Sequence, residues 1–177
     1  MLHKAGQKLN NLLGIARLDF TDIEIPPLIE VHNYWSAIRG DVIAPSLRNF
    51  RLEDLTPSIL PYVVLVDFIG PPLDYYYRFF GSKMVEISGI ELSGKTYFAD
   101  KVDGYGFVNA EVFPQLIEEK APIYTKTRWI SVKGITQTTT TARLPFSNDG
   151  ENITGAVSVN DFSDTSNHHN NEKILHI

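Results

Sequence analysis

The chain has no cysteine. Disulfides, thiolate metal sites, Fe–S clusters and cysteine nucleophiles are therefore excluded together. Positive charge is scarce as well: 16 Lys and Arg stand against 21 Asp and Glu, a formal net charge of −5, with no dense basic block to meet phosphates. Nucleic acid is excluded as an expected partner on that ground. No run of about 18 apolar residues offers a membrane span. Met1 to Phe20 also lacks a compact apolar stretch followed by a small-residue cleavage site, which implies a cytoplasmic location. Histidine is missing from the whole stretch between His32 and His168.

What is present suits a single globular core, since 177 residues at 43% hydrophobic and 21% charged are ordinary for one domain. The expected division is a lead-in over residues 1–27, one domain over 28–162, and a polar tail rich in Asn and Ser over 163–177. In the lead-in, Leu9, Leu12, Leu13 and Ala16 have the spacing of a short helix. Leu28, Val31, Trp35 and Ile38 recur at steps of three and four, so Leu28 to Arg39 is expected to be an amphipathic helix stopped by Gly40.

Tyr62 to Gly70 is β-branched and apolar on both faces, the pattern of a strand covered on both sides. Pro71 and Pro72 turn it into a second, aromatic strand, Asp74 to Gly81. From Ser82 to Ile123, glycines and prolines break the chain into short helical pieces. The clearest stripe there is Phe107, Ala110, Phe113 and Leu116 or Ile117, with Pro114 placed in a first helical turn. Tyr124 to Val132, Ile135 to Phe146 and Asn152 to Phe162 read as three further strands, joined by turn residues at Lys133-Gly134 and Ser147 to Gly150. The expected fold is α+β: one five-stranded antiparallel sheet, a helical insert between strands two and three, and the N-terminal helix on the outer face.

Two stretches carry a resemblance. Tyr77-Arg78-Phe79-Phe80-Gly81 through Leu92-Ser93-Gly94-Lys95 resembles the run of PAS domains in which strand two enters a short helix and then a Leu-x-Gly-Lys element. Asn152 to Ser163 is similar to the last PAS strand, with Asp161-Phe162-Ser163 where Asp-Ile-Thr is usual. His32 to Gly40, Pro45, Leu60-Pro61 and Arg78 to Gly81 resemble more narrowly a small, mainly alphaproteobacterial PAS subfamily of unassigned function. The likeness covers about Leu28 to Phe162. It departs at Gly81, where PAS domains often carry Asn.

The resemblance implies a sensory or regulatory module with a pocket between sheet and insert. Candidate pocket residues are Tyr77, Tyr97, Tyr105, Phe107 and Phe113, with Arg128, Trp129 and Arg143 on neighbouring strands. An Arg pair near an aromatic face could hold a carboxylate, although alternation sends Trp129 to the face opposite Arg128. The competing reading makes these solvated edge arginines with Trp129 in the core or an interface. Residue content excludes His-ligated haem in the pocket and cysteinyl-flavin, and leaves a non-covalent flavin, an unidentified unlinked small molecule or no ligand. No output domain follows Ser163, so a stand-alone module signalling by protein contact is expected. A homodimer through Leu28, Val31, Trp35 and Ile38 would serve it.

Two rivals come from other classes. One is a structural or scaffolding dimerisation domain with no ligand. The other is a small α+β enzyme using Asp67 or Asp100 as base. Ser58, Ser82 and Ser88 lack a nucleophile elbow, Glu118 and Glu119 face apart on a helix, and His168, His169 and His176 lie in the tail, so neither catalytic nor metal residues are assigned.

Overall fold

The strands form where β-branched and aromatic residues are densest, and they join into one sheet. The computed structural model describes residues 12–98, 105–130 and 135–163, with side chains in those ranges other than 97–98 and 105–107. The strands are β1 (Leu12–Leu18), β2 (Val63–Ile69), β3 (Asp74–Phe80), β4 (Lys95–Phe98), β5 (Ile123–Ile130), β6 (Thr136–Phe146) and β7 (Gly155–Asp161). The helices are α1 (Pro26–Arg39), α2 (Ser82–Ser88) and α3 (Tyr105–Glu119).

The sheet has seven strands in the order β1-β5-β6-β7-β2-β3-β4, with every neighbouring pair antiparallel. The expected five strands lie contiguously within it as β5-β6-β7-β2-β3, and the two additions extend its ends. Leu12–Leu18 is a strand against β5, which corrects the short helix expected at Leu12, Leu13 and Ala16. The sheet therefore includes residues before 28. Ile15, Ala16 and Leu18 alternate between the two faces, and pairing with β5 outweighs a local helical spacing that is only weakly amphipathic. The insert is not purely helical either, because Lys95–Phe98 pairs with β3. The tail beyond Ser163 and the Lys133-Gly134 turn lie outside the described residues.

Alternation gives the sheet two unlike faces. The outer face presents Val63, Leu65, Ala142, Leu144, Val157 and Val159, all buried, beneath α1, which crosses β6 and β7. Pro26 and Pro27 occupy the first positions of α1 rather than preceding it, since a missing N–H costs nothing there. Leu28, Val31 and Trp35 point into this layer and are fully or almost fully buried. Burial of such side chains stabilises by roughly 1.5–3 kcal/mol each. The homodimer surface expected on this stripe is therefore corrected: Leu28, Val31 and Trp35 are core residues of their own chain, and Ile38 is half-buried against the same core.

On the inner face, α3 lies against β6 and runs through Pro114, which sits within the helix and not in its first turn. Gly81 follows β3 for steric reasons. Its N–H donates to the Val63 carbonyl at 2.9 Å, and a Cβ would stand 2.3 Å from the Pro61 carbonyl oxygen, so no Asn fits there.

Candidate ligand-binding site

The inner face divides by chemistry. Over β2 and β3 it is apolar: Phe113 of α3 packs against Phe68 and Tyr75 at centroid distances of 5.0 and 5.3 Å, and Tyr77 meets Phe80 edge-on. Burial first and Asp74 second push the Tyr75 pKa up to about 12, so this hydroxyl stays protonated. Over β5, β6 and β7 the same face is polar although buried. Thr125, Thr127, Thr139, Thr141, Arg143, Ser158 and Asn160 are all less than one-tenth exposed.

Arg143 is the centre of that half. It is 1% exposed, and its guanidinium donates from Nε to Asn109 Oδ1 at 3.3 Å and from Nη1 to Thr125 Oγ1 at 2.9 Å. β6 is interior because β1 and β5 extend the sheet beyond it, which replaces the solvated-edge reading of Arg143. Around it, Thr141 Oγ1 donates to Asn160 Oδ1 at 3.0 Å, Asn160 Nδ2 to the Tyr62 carbonyl at 3.1 Å, and Trp129 Nε1 to Thr139 Oγ1 at 2.9 Å. Two hydroxyls, Thr127 Oγ1 and Ser158 Oγ, are buried without a hydrogen-bond partner. A core built for stability alone avoids such groups, because a buried polar atom without a partner costs about 1–3 kcal/mol.

The sequence-predicted residues separate accordingly. Phe113 and Tyr77 lie on the inner face with Arg143, and Trp129 joins them at the polar end. Arg128 pairs with Thr138 on the opposite face and is exposed, so the expected Arg128–Arg143 clamp is not formed. Tyr97 falls on β4, and Tyr105 and Phe107 on the first turn of α3, with side chains outside those described. Sequence reading missed Asn109, Thr125, Thr127, Ser158 and Asn160. For the four strand residues the signal was present in the alternation: polar residues on the same side as Arg143, with Val157 and Val159 on the other.

Three other places carry groups of possible chemical use. An open cleft of about 430 Å³ lies between Pro57, Leu60, Pro61 and Phe79, with Ser82, Glu91 and Ser93 on its wall. On the outer side, His32 of α1 bridges the Tyr124 hydroxyl, 2.5 Å from Nδ1, and Ser36 Oγ, 3.2 Å from Nε2, with Phe20 stacked on its ring at 3.7 Å. Burial, then Arg39, lowers the His32 pKa, and burial raises that of Tyr124. The Ser36–His32 contact resembles half of a hydrolytic triad, but a tyrosine hydroxyl occupies the third place where a carboxylate would orient the imidazole. Asp67, named as a base, accepts from Arg78 Nε at 2.7 Å through Oδ2. Asp100 lies outside the described residues.

Among the described residues no group of three or more His, Asp or Glu stands together as a metal site, and no helix is long and apolar enough to cross a membrane. Comparison with protein-family models and with curated proteins finds no match to the chain.

Proposed function

We propose that this chain is a PAS-like sensory or regulatory module that holds a small ligand between the inner sheet face and α3 and passes a change of shape to a protein partner. The observation that carries this reading is the buried polar half of the inner face centred on Arg143, set beside an apolar half lined by Phe68, Tyr75 and Phe113. An apolar wall with a few converging polar groups is the usual constitution of a small-molecule site. The strand order β3-β2-β7-β6-β5, in which early and late segments share one antiparallel sheet, supports the PAS likeness. A route outward exists in the Arg17–Glu119 ion pair, which ties edge strand β1 to the C-terminal end of α3. A homodimer, if formed, must use a surface other than the inner stripe of α1.

Native mass spectrometry of the purified protein, followed by denaturation and identification of any released molecule, tests the reading. A stoichiometric small molecule, or saturable stabilisation by one, supports sensing. A chain that carries nothing and is stabilised by nothing in a broad metabolite screen would indicate the scaffolding alternative.

A further inference from the structure

We propose that the free edge of β1 is the surface on which two copies of this chain join, strand against strand about a two-fold axis at Ala16, so that two sheets become one. This goes beyond ligand sensing and does not depend on it. β1 stands at one end of the strand order, and among the described residues its one paired neighbour is β5. In an edge strand about half of the backbone N–H and C=O groups point away from that neighbour, a ladder open to any strand that can approach. The principal packing of α1 is on β6 and β7 and that of α3 on β6, two strands in from this edge.

The two edges of the sheet are built differently. β4 is four residues long and carries exposed Lys95 and Thr96, a short charged edge of the kind that discourages pairing. β1 is seven residues long and contains neither proline nor lysine. Its one charge does not guard the edge, because the Arg17 guanidinium is drawn to Glu119 at the end of α3. The irregularity in its pairing falls between Leu12 and Gly14, so residues 14–18 run on as a regular ladder. Leu13 is 40% exposed, and Ile15 and Leu18 are only partly covered.

A second copy suits this edge because the regular stretch complements itself. Antiparallel pairing centred on Ala16 sets Ala16 against its own counterpart, Gly14 against Leu18 and Ile15 against Arg17. Directly opposed residues share a face, and Gly14, Ala16 and Leu18 face outward with Arg128, Lys126 and Tyr124 of β5. On that side each Leu18 fills the space over a Gly14, and two small alanines meet at the axis. On the inner side each Ile15 lies beside the aliphatic stem of an arginine whose charge Glu119 already holds. No like charges are directly opposed. The same patch serves both copies, which is the commonest symmetry of soluble oligomers.

Sedimentation velocity of the full chain over a wide concentration range tests the proposal. An interface made by one strand pair belongs to the small class, so a dimer with a Kd of about 1–100 µM is expected. Because the chain has no cysteine, a single introduced thiol locates the contact. Ala16→Cys sets two thiols across the axis and is expected to give a covalent dimer with a short bis-maleimide, while Thr96→Cys on the β4 edge is not. Ala16→Glu stands beside Lys126 within one chain but opposite a second carboxylate in the dimer. It should weaken association at least about tenfold and leave the melting temperature measured at monomeric concentration unchanged. A chain that stays monomeric at about 1 mM overturns the proposal. So does a dimer that cross-links no faster through Ala16→Cys than through Thr96→Cys, or one whose Kd Ala16→Glu leaves unchanged.

Discussion

The indole N–H of Trp35 donates to the carbonyl oxygen of Pro145 at 2.7 Å, joining the middle of α1 to a proline near the end of an interior strand. Proline is usually kept out of central strands because it cannot donate to the ladder. Here β5 begins opposite Arg143, two residues earlier, so β6 has lost its neighbour on that side, and the Pro145 carbonyl accepts from the indole N–H instead. Trp35→Phe keeps most of the apolar contact and removes the donor. A loss of about 1–3 kcal/mol in unfolding free energy is expected, read as a lower urea midpoint at unchanged slope.

Gly81 and Gly89 should respond differently to alanine. At Gly81 the new methyl would meet the Pro61 carbonyl at 2.3 Å, a backbone atom held by the turn that delivers β2. At Gly89 φ is +73° and the space around it is open. Gly89→Ala is expected to cost about 1–2 kcal/mol from backbone strain alone. Gly81→Ala should cost more, with a drop in melting temperature visibly larger in the same calorimetric series.

The bidentate pair between Arg17 and Glu119 is part-exposed, with one of its bonds at 2.6 Å. Glu119→Gln should lower global stability by no more than about 1 kcal/mol, and less at high salt. Its local effect should be larger: amides of β1 that exchange slowly in the parent are expected to exchange faster in the variant, because this pair clamps an edge strand. Unchanged exchange in β1 would remove the proposed link between α3 and that edge.

Stability should fall on mild acidification through His32. Burial and Arg39 hold its folded-state pKa below the ordinary 6.5. The unfolded chain then takes up the proton more readily, so this contribution is complete above pH 6.5 and is lost as the pH drops through that value toward the folded one. Replacing His32 by Gln is expected to flatten the slope of unfolding free energy against pH in that window, whatever it does to the height of the curve.

Much of the fold was legible in the chain because its strands are written in residues with little alternative. Val63–Ile69 and the aromatic run Asp74–Phe80 are covered strands in composition, and Thr136–Phe146 is dense in β-branched residues. The two missed strands are those with the weakest local pattern. Leu12–Leu18 carries apolar residues that also satisfy helical spacing, and Lys95–Phe98 is four residues long. Both are edge strands whose conformation is selected by hydrogen bonding to a neighbour far away in the sequence, β5 in one case and β3 in the other.

The amino-acid sequence alone determined the class of fold, the amphipathic α1, the absence of thiol chemistry and the presence of Arg143 among candidate site residues. Only the tertiary structure decided that the stripe of α1 closes its own core, that Arg128 and Arg143 face apart, and that Thr125, Thr127, Ser158 and Asn160 share one buried face with Arg143. Local periodicity settles which side of an element is apolar, because that depends on near neighbours. Which apolar faces meet, and which polar groups share one buried face, depends on strand register between segments many residues apart.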